Sequence, residues 1–164
     1  YNVINSWPEL MEPRKDLSEA RDRLIHILAE YGAYEKYDVT IVFDALFTAD
    51  EEHYERINAN LDVIYTGMGE TADSYIERLA YESVRDGREV HVVTSDGAEQ
   101  AVILGAGAYR IPSREFLRSV QKTKKKIHDE YLGKVTLPLV RNEVGSRIDR
   151  ETAAKLDKIR KNHR

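Results

Sequence analysis

The sequence predicts an α/β fold in which helices cover a parallel β-sheet. Short runs rich in β-branched residues, at 39–43, 63–65 and 90–94, have the length and composition of buried strands. Between them lie stretches whose apolar residues recur at the three- and four-residue spacing of amphipathic helices. Strands that alternate with helices in this way are typical of parallel sheets, because each parallel connection needs a crossover.

The first predicted helix begins at Asp16. Asp16 can cap this helix, Glu19 three residues later would complete a capping box, and Gly32 is a natural stop. The apolar face would consist of Leu17, Ala20, Leu24, Ile27, Leu28 and Tyr31. The strand at 39–43 follows this helix and ends before Asp44.

The middle of the chain contains one ambiguous segment and one strongly patterned helix. Residues 50–60 are polar and charged, and we expect them to form a helix or a loop. After the strand at 63–65, Thr71 is expected to cap a helix that runs to about Arg85 and ends at Gly87. Its predicted buried face consists of Ile76, Leu79, Ala80 and Val84.

The last third of the chain continues the alternation and then becomes less regular. The elements predicted there are a strand at 90–94, a short helix at about 98–104, a strand at 109–111, a long helix capped by Ser113 and ending near Leu132, an extended segment at 134–144, and a last helix capped by Asp149.

The composition fits one globular domain with an appendage. The chain has 164 residues, of which 41% are hydrophobic and 33% are charged. It contains no cysteine, which excludes disulfides, thiolate zinc sites, iron–sulfur clusters and cysteine nucleophiles. No apolar run approaches the roughly 20 residues of a membrane span, and the first residues lack the pattern of a signal peptide. We therefore expect a soluble, cytoplasmic protein with no membrane partner.

The charge is distributed asymmetrically. Residues 1–112 contain 10 Lys and Arg against 22 Asp and Glu, whereas residues 113–164 contain 15 against 7. The basic part predicts a polyanionic partner; the alternative is a solvated face that pairs with the acidic body. The predicted phosphate contacts are Arg114, Arg118, Lys122, Lys124, Lys125 and Lys126 on the long helix, and Lys155 and Lys158 on the last helix.

Acidic residues follow three of the predicted strands. Asp44 follows the strand at 39–43, Glu70 and Asp73 follow the strand at 63–65, and Asp96 follows the strand at 90–94. Ligands of open parallel sheets bind at the carboxyl ends of the strands. Carboxylates gathered at one edge repel each other, and a hard cation such as Mg²⁺ or Mn²⁺ would compensate their charge.

Each of these acids also has a structural interpretation. Asp44 could terminate a strand, Glu70 and Asp73 could favour a helix dipole, and Asp96 could form an Asx turn before Gly97. Other catalytic classes are disfavoured. The two Gly-x-Gly pairs lack the dinucleotide fingerprint, Ser95 has no nucleophile-elbow pattern around it, and the five histidines lack metal-ligand spacing.

Four segments resemble the YacP-like branch of the NYN domains, within the PIN-like nucleases. They are Tyr1-Asn2-Val3-Ile4 with Trp7-Pro8, Val42-Phe43-Asp44-Ala45, Gly69-Glu70-Thr71-Ala72-Asp73-Ser74-Tyr75-Ile76-Glu77, and Val93-Thr94-Ser95-Asp96. The resemblance implies a PIN-like three-layer α/β/α sandwich with a mainly parallel sheet over residues 1–132. Residues 133–164 would form the basic C-terminal extension.

The same resemblance implies a divalent-metal-dependent endoribonuclease that uses Mg²⁺ or Mn²⁺. Asp44, Asp73 and Asp96 would line the metal site, Glu70 is a further catalytic candidate, and the supporting residues would be Asn2, Thr94 and Ser95. The implied partner is RNA, as mRNA in turnover and in a ribosome-linked role, with no DNA.

The family pattern also places an apolar strand ending in an Asp-Gly pair directly before Tyr1, and that Asp would be a principal metal ligand. We expect a chain that starts at Tyr1 to be poorly stable and to cleave little. Two other functions stay open. One is a catalytically silent RNA- or ribosome-binding module, and the other is a phosphatase or nucleotide-hydrolysing enzyme that uses the same acids.

Overall fold

A computed structural model of the chain describes residues 1–11, 16–44, 52–97 and 100–134. Contacts divide the chain into two units, Tyr1–Ile127 and His128–Arg164. The predicted extended segment at 134–144 and the helix capped by Asp149 fall beyond the described residues, apart from Lys134. The predicted domain boundary after residue 132 stays a prediction.

Helices and strands alternate along the first unit, which confirms the predicted α/β class. In the described residues the elements are α1 (Asn2–Ser6), α2 (Leu17–Glu35), β1 (Val39–Phe43), β2 (His53–Asn58), β3 (Leu61–Tyr65), α3 (Ala72–Arg85), β4 (His91–Thr94), α4 (Gln100–Gly105), β5 (Tyr109–Pro112) and α5 (Ser113–Lys134). Helix α1 was not predicted, because five residues are too few to show a helical period.

The strands of the described residues form two sheets. The first has the order β1-β3-β2, in which β1 is parallel to β3 and β2 is antiparallel to β3. The second pairs β4 with β5 in parallel. The first sheet is therefore mixed, so a mainly parallel sheet is not confirmed, and the three-layer arrangement stays a prediction.

The predicted helix or loop at 50–60 is wrong for the residues of β2. This strand lies at the edge of its sheet and its side chains are almost all exposed. An exposed edge strand buries neither face, so it shows no apolar alternation, and its charged residues protect the open edge. Neither strand propensity nor hydrophobic periodicity therefore indicates that these residues form a strand.

Two helix ends differ from their predicted chemistry. Asp16 is the N-cap of α2, but its side chain makes no capping hydrogen bond. Gly32 does not stop this helix, which continues to Glu35 and ends at Lys36 in a left-handed conformation with φ 60°. Glycine at position 32 instead allows Val39 and the backbone of Tyr37 to pack closely against α2, where they leave no room for a side chain.

The predicted cap of the long helix is also wrong. Ser113 is the first residue of α5, and its buried Oγ has no hydrogen-bond partner among the described residues. Its carbonyl oxygen instead accepts a 2.9 Å hydrogen bond from Nε1 of Trp7. The start of α5 is therefore tied to the N-terminal segment by a contact that no local pattern indicates.

The buried residues of the first unit form two clusters. The larger cluster joins α1, α2, β1, β3 and α5, and its most deeply buried members are Trp7, Ile4 and Val63. The smaller cluster consists of Ala80, Val92, Ile103 and Ala108, with Ile76 and Val84 packed against it. The predicted apolar face of α3 is therefore confirmed at its centre. No helix in the described part is both long and apolar enough to cross a membrane.

We expect Gly32→Ala to destabilise the protein by about 1 kcal/mol. Alanine favours a helix interior over glycine by about 1 kcal/mol. A Cβ at Gly32 would however lie 3.0 Å from Cγ2 of Val39 and 3.2 Å from the backbone oxygen of Tyr37, and such overpacking costs about 1–3 kcal/mol.

Urea denaturation measures this balance. Gly133→Ala is the matched control, since Gly133 is also helical and its added Cβ would meet nothing within 4 Å. A gain in stability as large in Gly32→Ala as in Gly133→Ala would show that the close approach has no cost.

Candidate active site at the carboxyl end of strand β1

Asp44 lies where β1 ends and α3 begins. Its Oδ1 accepts a 2.7 Å hydrogen bond from the backbone N–H of Ala72, the first residue of α3. That N–H is one of the four that a helix leaves without an internal acceptor. The helix N-terminus also carries partial positive charge, which favours a carboxylate there. Because the bond engages one carboxylate oxygen, the other can take a further ligand.

Asp73 is the next residue of the same helix turn, and its side chain is exposed. The turn is held by Thr71, whose Oγ1 accepts a 3.2 Å hydrogen bond from the N–H of Ser74. The predicted cap is therefore confirmed. Asp73 belongs to this helix and Asp44 reaches its N-terminus from the end of β1, so the fold places both residues at one helix N-terminus.

Glu70 lies just before α3 and is bound to another side chain. Its Oε1 is 3.0 Å from Nη2 of Arg78, in an ion pair that raises the pKa of the guanidinium. The guanidinium of Arg78 lies 4.6 Å from the ring centroid of Tyr75. The end of β1 at Asp44 and the adjoining N-terminus of α3 with Asp73 are called here the acidic edge. Glu70 is separated from Ala72 only by Thr71 and is held to α3 through Arg78, and its catalytic role stays a prediction.

Glu52 is a further acid at this edge, and no pattern in the sequence indicates it. Its Oε1 accepts a 3.1 Å hydrogen bond from the hydroxyl of Tyr75. Burial, followed by the hydrogen bond to Glu52, raises the pKa of Tyr75. The residue directly precedes β2, and it escaped notice because that segment was not predicted to be a strand.

Aromatic rings pack around the ends of β1 and β3. The centroid of the Phe43 ring lies 5.5 Å from that of Tyr1 and 5.5 Å from that of Tyr65. The N–H of Thr66 also donates to the carbonyl oxygen of Phe43 at 3.0 Å. Asn2 follows Tyr1 and is the first residue of α1. Its supporting role stays a prediction.

Asp96 follows β4 in the second sheet. Its backbone N–H donates a 3.1 Å hydrogen bond to Oγ1 of the buried Thr94, which fixes the turn through the exposed Ser95. Nη2 of Arg110 reaches the carbonyl oxygen of Thr94 at 3.5 Å. The buried Nε of Arg110 has no partner among the described residues. This guanidinium was not selected from the sequence.

The described residues supply two acids at one helix N-terminus and a third on another sheet. Within residues 1–11, 16–44, 52–97 and 100–134, no group of three or more His, Asp and Glu side chains could hold a metal ion. Mg²⁺ is however commonly held by one or two carboxylates together with waters and substrate phosphates. Asp44 and Asp73 fit that smaller donor set.

The predicted basic residues of α5 are exposed, and Lys155 and Lys158 lie outside the described residues. Lys126 forms a 3.6 Å ion pair with Glu35 of α2. The positive side chains of this helix therefore differ in their surroundings, and their spacing in the sequence does not indicate this difference.

The chain is thus an α/β protein with acids at the carboxyl end of a parallel strand pair. A family model described as the YacP-like NYN domain matches residues 1–161. Over 128 residues the chain is 41% identical to a Bacillus subtilis (strain 168) relative called "Uncharacterized protein YacP", covering 77% of this chain and 75% of the relative. The chain belongs to the YacP-like NYN domain family.

Two solved structures are similar to it. The crystal structure of Rae1 (YacP) from Bacillus subtilis matches with a TM-score of 0.68 and 34% identity, over 99% of this chain and 88% of that one. A mutant of the same protein matches with a TM-score of 0.70 and 37% identity, over 83% of this chain and 79% of that one. The chain therefore has an RNase-type fold.

Proposed function

We propose that the protein is a divalent-metal-dependent endoribonuclease that hydrolyses phosphodiester bonds within mRNA, free or on the ribosome. The observation that carries the proposal is the position of Asp44, whose carboxylate lies at the N-terminus of α3 beside Asp73. NYN domains are generally nucleases, which supports the same class of reaction.

The carboxylates have distinct parts in this proposal. Asp44 is oriented by the N–H of Ala72 at 2.7 Å, and its remaining oxygen, together with Asp73, would hold Mg²⁺ or Mn²⁺. Asp96 is the third candidate ligand. When bound, the ion supplies Lewis acidity that stabilises negative charge on the phosphate and activates water.

The chain's own residues also limit what the site can accept. The acidic edge repels a phosphate that arrives without a cation, so the carboxylates alone do not attract RNA. Affinity for the backbone must come from cations elsewhere on the surface. The exposed basic residues of α5 favour a long polyanion over a small phosphate ester as the substrate.

A catalytically silent RNA-binding module is the second candidate. The observation in its favour is that the described residues provide no group of three metal-ligating side chains. Such a module would retain the fold and the basic helix, and it would bind RNA without cleaving it.

An internally labelled single-stranded RNA tests the proposal. With Mn²⁺ we expect internal cleavage that leaves 5′-phosphate ends, and with a chelator we expect none. A mononucleotide phosphate ester is the control substrate and should stay intact. Cleavage of the ester at a similar rate would favour the phosphatase alternative. RNA binding without cleavage at any Mn²⁺ concentration would favour the silent module.

A further inference from the structure

Helix α5 has one buried face in the first unit. Val120 and Thr123 are buried, and Phe116, Leu117 and Ile127 are partly buried. These residues recur at the spacing of a single helical face, which packs against the larger core cluster. The opposite face of the helix has no partner within the described part of the first unit.

Four cations lie on that opposite face. The set, called here the basic stripe, consists of Arg114, Arg118, Lys122 and Lys125. They are separated by four, four and three residues, so they fall within an arc of about 80° and extend over about 16 Å. All four are exposed, and none forms an ion pair with another described residue.

The two remaining lysines of this segment do not belong to the stripe. Lys126 is paired with Glu35 at 3.6 Å, and Glu35 also accepts a hydrogen bond from Thr123. Lys124 lies on the other flank and lines a cleft of about 130 Å³ between α2 and α5, which includes His26. The fold therefore divides chemically identical side chains into two groups.

The stripe begins near one of the candidate acids. In the parallel register of β4 and β5, Pro112 is the partner of Thr94. Arg114 is two residues beyond Pro112 and Asp96 is two residues beyond Thr94, so both follow the same edge of this sheet. Between residues 113 and 127 the chain has six Lys and Arg and a single acid, Glu115.

We infer that the basic stripe binds the phosphodiester backbone of single-stranded RNA and leads it from the sheet edge at Asp96 along α5. Charge complementarity selects this occupant, because a row of cations over about 16 Å, none of them in an ion pair with a described residue, matches a linear polyanion. Cations that contact phosphates release counterions and supply affinity without reading sequence. The inference rests on the proposed function, since it concerns the same substrate.

Direct binding of a mixed-sequence single-stranded RNA tests the stripe. Fluorescence anisotropy is measured with the full chain at several KCl concentrations. A chelator is present throughout, so that cleavage cannot contribute. Lys122→Gln/Lys125→Gln removes half of the stripe. Lys124→Gln/Lys126→Gln is the matched control, with the same charge change on the same helix. Circular dichroism establishes that both variants are folded.

The stripe variant should bind RNA roughly 25-fold more weakly at 0.1 M salt. Each lost contact to a single-strand phosphate reduces the slope of log affinity against log salt concentration by about 0.7. The slope for the stripe variant should fall by about 1.4, and the control should change little. An equal loss in both variants would mean that only total charge matters, and an unchanged stripe variant would mean that RNA binds elsewhere; either result overturns the inference. If binding depends on the stripe but the separate cleavage assay with Mn²⁺ shows no product, the stripe inference stands and the nuclease proposal is rejected.

Discussion

Asp44→Asn is expected to lower the rate of RNA cleavage by at least about 100-fold while the protein stays folded. Asparagine keeps an oxygen that can accept the hydrogen bond from Ala72, but it removes the negative charge. A metal ion contributes several kcal/mol to phosphoryl chemistry, and each 1.36 kcal/mol corresponds to about a factor of ten in rate. The measurement is single-turnover cleavage of labelled RNA with Mn²⁺.

The comparison with Asp44→Ala separates catalysis from stability. Alanine removes both the charge and the acceptor, so the N–H of Ala72 loses its partner and the free energy of unfolding should fall by about 1–2 kcal/mol. Both variants should cleave RNA at least about 100-fold more slowly, but only Asp44→Ala should be destabilised. Urea denaturation followed by circular dichroism measures this difference.

Asp38→Asn is the control for the loss of charge. Asp38 is exposed and directly precedes β1, at the opposite end of the strand from Asp44. We expect the Asp38→Asn variant to cleave RNA at the rate of the unsubstituted protein. If Asp44→Asn also cleaved at that rate, Asp44 would be a helix cap only, and the proposed metal site would lose its best-positioned ligand.

Trp7→Ala should lower the free energy of unfolding by about 3–5 kcal/mol. The side chain of Trp7 is completely buried, and its ring lies 5.9 Å from that of Phe116. Its Nε1 donates the 2.9 Å hydrogen bond to the carbonyl oxygen of Ser113. Since domains of this kind are stable by only about 5–15 kcal/mol, the substitution removes a large share of the total.

Trp7→Phe isolates the hydrogen bond. Phenylalanine retains most of the apolar contact, but the buried carbonyl oxygen of Ser113 loses its donor, at a cost of about 1–3 kcal/mol. Urea denaturation must be followed by circular dichroism, because Trp7 is the single tryptophan of the chain. If Trp7→Ala instead lowered the free energy of unfolding by less than about 1 kcal/mol, the N-terminal segment would contribute little to the stability of the core.

The elements that were predicted well are those with strong local signals. Thr71 followed by an apolar period at Ile76 and Ala80 identified α3 and its cap. The β-branched run of β1 identified a buried strand. In both cases the pattern of one segment was enough, because burial of one face or of a whole strand leaves its own periodicity in the sequence.

The elements that were missed depend on partners distant in sequence. Strand β2 is held by its pairing with β3, where Tyr54 is opposite Ile64, and its exposed side chains carry no periodic signal. The position of Glu52 at the acidic edge follows from that pairing and from its hydrogen bond to Tyr75. Neither is visible in a local window of the chain.

The sequence by itself determined the α/β class, the position of acids after the strands, and the accumulation of positive charge beyond residue 112, because each is a property of composition or local spacing. Only the tertiary structure decided that Asp44 and Asp73 share one helix N-terminus, and which lysines of α5 are paired. These facts depend on contacts between segments up to about 90 residues apart, and such contacts are selected by packing of the whole core.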